Sequence, residues 1–145
     1  MRAAYALVMA VILVSCGNEQ PYKITGDQIT EALTSAPGDP VRGQAVFSER
    51  EQGHCVICHK VSGLDVSFQG NVGPDLSAVG DRFTSSQLRL RIVDMSEVAP
   101  DTLMPSYFRK DHLNQVGQAY QDKTILTGQQ IEDLVAYLAT LETNR

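Results

Sequence analysis

The chain has 145 residues, a formal net charge of −5, 43% hydrophobic residues and three cysteines. This length suits a single domain, and the hydrophobic share excludes a wholly disordered chain. The acidic balance argues against a nucleic acid as the main partner, because phosphate binding needs a basic surface. No apolar stretch is long enough to span a membrane stably.

The N-terminus has the pattern of a secretion signal. Arg2 precedes an apolar run from Ala3 to Val14, which is too short for a membrane span but fits the core of a signal peptide. Its end, Leu13-Val14-Ser15-Cys16, resembles the lipobox of bacterial lipoproteins, in which the cysteine is acylated. We therefore expect a lipoprotein-type signal peptide over residues 1–15 and a periplasmic protein held to a membrane only by a lipid on Cys16. A plain secretion signal and a buried core helix are the alternatives.

The first elements follow in chain order. Residues 16–38 are polar and rich in turn formers, which predicts a tether with one helical turn, and residues 39–145 are expected to form the domain. Asp39 before Pro40 is typical of an N-cap followed by a first-turn proline, so we predict a helix over about 40–51. The next stretch, about 60–84, is rich in glycine and has no sustained period. A loop this long needs something to wrap around.

Two further helices are predicted from capping boxes, in which a threonine precedes a glutamine by three residues. Thr84 begins a helix over about 85–97, in which Leu88, Ile92 and Met95 recur at helical spacing. Thr127 begins a last helix that is expected to run almost to the end of the chain. No strand pattern is evident, so the fold class is all-α, with short helices, long loops and a large apolar cofactor to complete the core.

The sequence Cys55-Val56-Ile57-Cys58-His59 has the spacing of a c-type haem attachment site. The two thiols would form thioethers with the porphyrin, and His59 would be the proximal iron ligand. A thioredoxin-like dithiol would need a preceding strand. A structural zinc would need a second pair of ligands, and outside the motif only His54 and His112 remain. We therefore predict one covalently bound haem c, in agreement with export.

The candidates for the sixth iron ligand are Met95, Met104, His54 and His112. His54 adjoins the motif and cannot reach the opposite haem face, whereas Met95 continues a helical stripe and fits a role in the core. Met104 precedes a proline in an irregular segment that suits a ligand loop. We therefore predict Met104 as the ligand, with His112 second. Six-coordinate iron leaves no site for a substrate, so the haem should transfer electrons.

Three smaller expectations concern other residues near the motif. A backbone carbonyl of Gly73-Pro74 could accept the N–H of the proximal imidazole and fix its orientation, although an ordinary turn fits this pair equally well. With two cysteines on haem and Cys16 acylated or removed, the mature chain would hold no free thiol. The arginines at positions 82, 89 and 91 fit a docking patch or, more simply, solvated charge on a helix.

Several segments together resemble the SoxX family, the monohaem c-type subunits of the SoxAX cytochromes of bacterial thiosulfate oxidation. They are Gly38–Gly43, the haem motif, Gly70–Leu76, Leu88–Asp94, Met104–Tyr107, Leu126–Gly128 and Asp133–Leu141. The resemblance covers about residues 38–142. It implies a class I cytochrome c fold in which the first helix, near Gly43 and Phe47, crosses the last. It also implies His59 and Met104 as axial ligands.

The resemblance further implies a function. The chain would be a non-catalytic electron-transfer subunit of an L-cysteine S-thiosulfotransferase, paired with a monohaem or dihaem SoxA-like cytochrome. That complex joins thiosulfate oxidatively to a cysteine of a SoxYZ-like carrier protein, and the electrons leave through this haem to another cytochrome c. The alternative is a free-standing, lipid-anchored periplasmic electron shuttle. The lipobox implies membrane anchoring, which the resemblance to the SoxX family does not by itself lead us to expect.

Overall fold

Three α-helices form the frame of the computed structural model, which describes residues 21–111 and 116–143. They are α1, Pro40–Ser48; α2, Ser85–Val93; and α3, Gly128–Ala139, with short 3₁₀ turns at Cys55–Ile57, Met95–Glu97 and Gln118–Tyr120. The described part contains no strand, only one isolated bridge between Thr25 and Gln28. The all-α prediction is therefore confirmed. The predicted signal peptide, Cys16 and His112 lie outside the described residues.

The predicted helix starts are those of the structure. The Asp39 carboxylate accepts hydrogen bonds from the first free backbone N–H groups of α1, and Pro40 is its first residue. Both capping boxes are formed, with Thr84 before α2 and Thr127 before α3. None of the helices in the described ranges is long and apolar enough to cross a membrane.

The helices end earlier than predicted. α1 ends at Ser48 rather than near residue 51, and α3 ends at Ala139. α2 ends at Val93 rather than near residue 97, because Asp94 has an extended backbone and its side chain caps the following turn instead. Met95 therefore does not belong to the stripe of α2, and it is half-buried outside the main core.

The crossing of α1 and α3 is the centre of the fold. A Cβ atom on Gly43 would collide with the backbone carbonyl of Asp133, so only glycine allows this approach. Next to it the rings of Phe47 and Tyr137 pack with centroids 5.6 Å apart. Burial alone would raise the pKa of Asp133, but hydrogen bonds from Arg42 and other donors outweigh it, and the pKa is lowered. The predicted crossing is confirmed.

The second half of the expected tether packs on the domain. Ile29 is completely buried, and its carbonyl accepts a 2.8 Å hydrogen bond from Arg89. Arg89 also forms a two-pronged, buried ion pair with Glu132 of α3, at 2.7 and 2.8 Å. The same carboxylate accepts the backbone N–H of Leu33 at 2.9 Å.

Arg89 is therefore neither part of a docking patch nor a solvated charge, and both interpretations of it are wrong. Charge on a short helix is usually solvated, whereas here Ile29 of segment 21–38 and Glu132 of α3 both bind the guanidinium. Arg91 is also held locally, because it lies over the ring of Phe83 at 4.1 Å and contacts Asp27.

Candidate haem site

The haem motif forms one tight turn. The backbone N–H groups of Cys58 and His59 both donate to the carbonyl of Cys55, at 3.1 and 2.9 Å. His54, which precedes this turn, has a left-handed backbone with φ of 48°, a conformation in which histidine is enriched among non-glycine residues. The turn therefore presents both cysteines and His59 from five consecutive residues.

The predicted loop after the motif folds back along it. Three backbone N–H groups of the loop donate to the motif and its next residue: Gly70 to Val56 at 2.8 Å, Gly73 to Cys58 at 2.8 Å and Leu76 to Lys60 at 2.9 Å. A Cβ on Gly70 would overlap the carbonyl of Ile57, so glycine is required for this close approach. The loop thus holds the motif without helix or strand.

The imidazole of His59 is held on two sides. Its Nδ1 lies 2.8 Å from the carbonyl oxygen of Pro74, as a hydrogen bond in which Nδ1–H donates. Gly73 lies directly against the ring, since a Cβ there would be 2.6 Å from Nδ1 and 2.9 Å from Nε2. With Nδ1 donating, the lone pair of a neutral ring is on Nε2, which is the atom needed to bind iron.

Cys55 is buried next to Tyr107. Burial raises the pKa of the Cys55 thiol to about 12, so as a free thiol it would be protonated at neutral pH. Burial, together with the two cysteines, also raises the pKa of Tyr107. The Tyr107 hydroxyl donates to the carbonyl of Gly53 at 3.3 Å. Tyr107 therefore ties the segment that carries Met104 to the haem motif, a role that the sequence did not reveal.

Met104 lies in an irregular segment that follows the second 3₁₀ turn. Its side chain is half-buried, and its N–H donates to the Thr102 hydroxyl at 3.1 Å. The segment continues with backbone bonds from Tyr107 to Ile92 and from Leu126 to Tyr107, at 3.3 and 3.0 Å. It therefore runs between α2 and the motif.

These residues fit a covalent haem. Haem c attachment needs two cysteines at this spacing, and proximal ligation needs an imidazole whose Nε2 can bind iron. The site has both, and Gly73 packs against the ring. A half-buried methionine on a separate loop adds a thioether.

Apolar side chains are exposed around this site. Ile57 of the motif is 57% exposed, Val72 beside Gly73 is 69% exposed, and Leu103 beside Met104 is 88% exposed. Each is adjacent in sequence to a residue of the predicted site. Sequence periodicity could not find these side chains, because they come from three separate segments, none of which is an α-helix or a strand.

The sequence model of the cytochrome c family matches residues 40–142. The chain therefore belongs to the cytochrome c family, with the class I fold and a covalently bound haem c. A chain of the crystal structure of SoxXA from P. pantotrophus is 34% identical, with a TM-score of 0.77 over 83% of this chain and 94% of that chain. The resemblance to SoxX is thereby confirmed.

Two other solved structures are more distant. A variant of ferric cytochrome c-550 from Paracoccus versutus is 18% identical, with a TM-score of 0.41 over 74% of this chain and 99% of that chain. Cytochrome c2 from Paracoccus denitrificans is 17% identical, with a TM-score of 0.40 over 74% of this chain and 99% of that chain. A search of curated proteins finds no match.

Proposed function

We propose that this cytochrome is the electron-transfer subunit of a SoxAX-type complex that attaches thiosulfate to a cysteine of a carrier protein. The observation that carries this is the 34% identity and TM-score of 0.77 to a chain of SoxXA, over most of both chains. In the proposed reaction, a new S–S bond joins thiosulfate to the carrier thiol, one proton is released and two electrons are removed. The electrons leave one at a time to a downstream cytochrome c.

We propose His59 and Met104 as the axial ligands. Haem c supplies reversible one-electron chemistry at iron when bound. His59 is oriented for this by its bond to Pro74, which also makes the imidazole a stronger donor. A thioether from Met104 favours ferrous iron and raises the reduction potential.

The surface supports a lasting partner rather than brief encounters. The exposed side chains of Ile57, Val72 and Leu103, which we call the apolar rim, belong to the haem motif, the Pro74 loop and the Met104 segment, respectively. We propose that the three side chains share one face, since contiguous apolar surface marks protein interfaces. A free-standing shuttle, the alternative function, needs only a small transient contact. The rim therefore favours a SoxA-like cytochrome bound at this face.

The thiol chemistry belongs to other subunits. Cys55 and Cys58 would both be bound to the haem as thioethers, so neither offers a free thiol to thiosulfate. The thiol that receives thiosulfate is therefore on a SoxYZ-like carrier protein.

We further propose a periplasmic location with a lipid on Cys16. Among the described residues, which begin at residue 21, the first side chain that packs on the core is that of Tyr22. The few residues between them reach about 20 Å at most when fully extended. Acylation would therefore hold the domain close to the membrane.

The test of the proposed function is purification from cells grown on thiosulfate, with haem staining and mass determination of bound proteins. We expect a second c-type cytochrome in equal amount, and reduction of the pair by thiosulfate only when a thiol carrier protein is added. A chain that emerges alone and is not reduced by thiosulfate would instead be the shuttle.

A matched pair of variants tests the apolar rim. Val72→Ser should weaken binding of the partner about tenfold, because it removes roughly one buried valine's worth of apolar contact. Val41→Ser is the control, since Val41 is similarly exposed, at 78%, but lies on α1. Equal effects of the two variants would contradict the placement of the interface.

A further inference from the structure

Asp94, at the end of α2, holds a buried carboxylate that receives hydrogen bonds from two separate parts of the chain. It is 1% exposed. Its Oδ1 accepts from the backbone N–H and hydroxyl of Ser96, at 3.0 and 2.5 Å, and from the hydroxyl of Ser106 at 2.6 Å. Its Oδ2 accepts from Arg109 at 2.8 Å. The carboxylate thus joins the end of α2 to the segment that carries Met104.

The carboxylate is ionised despite its burial. Burial would raise the pKa of Asp94, but the hydrogen bonds from Ser106 and Ser96 and the charge of Arg109 outweigh it, and the pKa is lowered. Hydrogen bonds to a charged acceptor are stronger than neutral ones. Removing a donor from such a buried acceptor is correspondingly costly.

The two serines contact the same oxygen but have different consequences for the chain. Ser96 is two residues from Asp94, so its bond only shapes the local turn. Ser106 is twelve residues away in sequence and two residues after Met104. Its neighbours Met104 and Pro105 lie outside any helix or strand. The bond from Ser106 therefore fixes the segment close to the proposed ligand.

We propose that Asp94, acting through Ser106, is a positioning residue that holds the Met104 segment in place for binding of the thioether to iron. This inference rests on the proposed axial ligation. Without the Ser106 bond, the segment would sample positions in which the sulfur is withdrawn. An external ligand would then compete for the iron more successfully.

The test measures imidazole binding to the ferric holoprotein, together with the sulfur-to-iron absorption band. Ser106→Ala should bind imidazole about tenfold more tightly than the wild type and show a weaker band, since one charge-assisted bond is lost. Ser96→Ala removes a bond to the same Asp94 oxygen, and one from Arg109 at 3.2 Å, but leaves in place the Ser106 bond, which is nearest to Met104 in sequence. It should stay within twofold of the wild type. A difference of less than threefold between the two variants would overturn the proposal.

Two further variants separate positioning from general stability and from ligation. Glu132→Gln weakens another buried carboxylate–arginine pair, far along the chain from Met104, and should lower stability while leaving imidazole affinity unchanged. If it tightens imidazole binding as Ser106→Ala does, the effect is general loosening and the proposal fails.

Met104→Ala should abolish the absorption band. If the wild type lacks that band, or if Met104→Ala keeps it, Met104 is not the ligand. That result differs from equal behaviour of the two serine variants, which would refute only the positioning role of Asp94.

Discussion

Replacing Gly73 with alanine tests the geometry that orients the proximal imidazole. The new Cβ would stand 2.6 Å from Nδ1 of His59, whereas ordinary contacts begin near 3.4 Å. The ring must therefore retreat by roughly 1 Å, which is enough to break its 2.8 Å hydrogen bond to Pro74. Overpacking of this kind costs about 1–3 kcal/mol, and the lost bond about 1 kcal/mol more.

The consequence should appear at the haem as well as in stability. An imidazole without the bond from Nδ1–H to a carbonyl is a weaker donor and stabilises ferric iron less. We therefore expect the reduction potential to rise by roughly 20–60 mV, given that a tenfold change in the equilibrium is 59 mV for one electron. Potentiometric titration of the holoprotein measures this, and chemical denaturation gives the change in unfolding free energy.

Gly43→Ala is the matched control for this prediction. It creates a collision at least as severe, with the Cβ against the backbone carbonyl of Asp133 at the crossing of α1 and α3, but does not contact His59. It should lower stability and leave the potential within about 10 mV of the wild type. If both variants shift the potential equally, or if Gly73→Ala shifts only stability, the account of imidazole orientation is refuted.

Three further predictions concern other parts of the molecule. Arg89→Ala should destabilise the domain by about 3–5 kcal/mol in chemical denaturation, because it leaves the Glu132 carboxylate buried without its partner; a loss below 1 kcal/mol would contradict burial of the pair. Folding lowers the pKa of Asp133, so the stability contributed by its ionised carboxylate is present above about pH 4. This stability is lost as the pH falls through the pKa of the folded state. Asp133→Asn should therefore lose less stability than the wild type between pH 5 and pH 2, and parallel acid unfolding curves would count against this. Cys16→Ser should release the protein from the membrane fraction and abolish acylation detectable by mass spectrometry; an unchanged distribution would exclude the lipid anchor.

Local chemistry in the sequence determined the helix starts and the cofactor. Asp39 before Pro40 and the two threonine capping boxes act over three or four residues, so their patterns are visible without tertiary information. The haem motif is equally local, and membership of the cytochrome c family confirms the cofactor it predicted. The choice of Met104 as a ligand and of Cys16 as a lipid site stays a prediction.

Only the tertiary structure decided what the polar residues do. Arg89 reads as surface charge because the sequence pattern carries no information about segment 21–38, which supplies the Ile29 carbonyl, or about the packing of α3, which supplies the Glu132 carboxylate. Asp94 likewise ends α2 earlier than the apolar period predicted, since its carboxylate binds Ser96 and, from twelve residues away, Ser106. Sequence patterns report interactions within one or two helical turns. The contacts that position the two proposed iron ligands join residues from separate loops, and these are set only when the whole chain is packed.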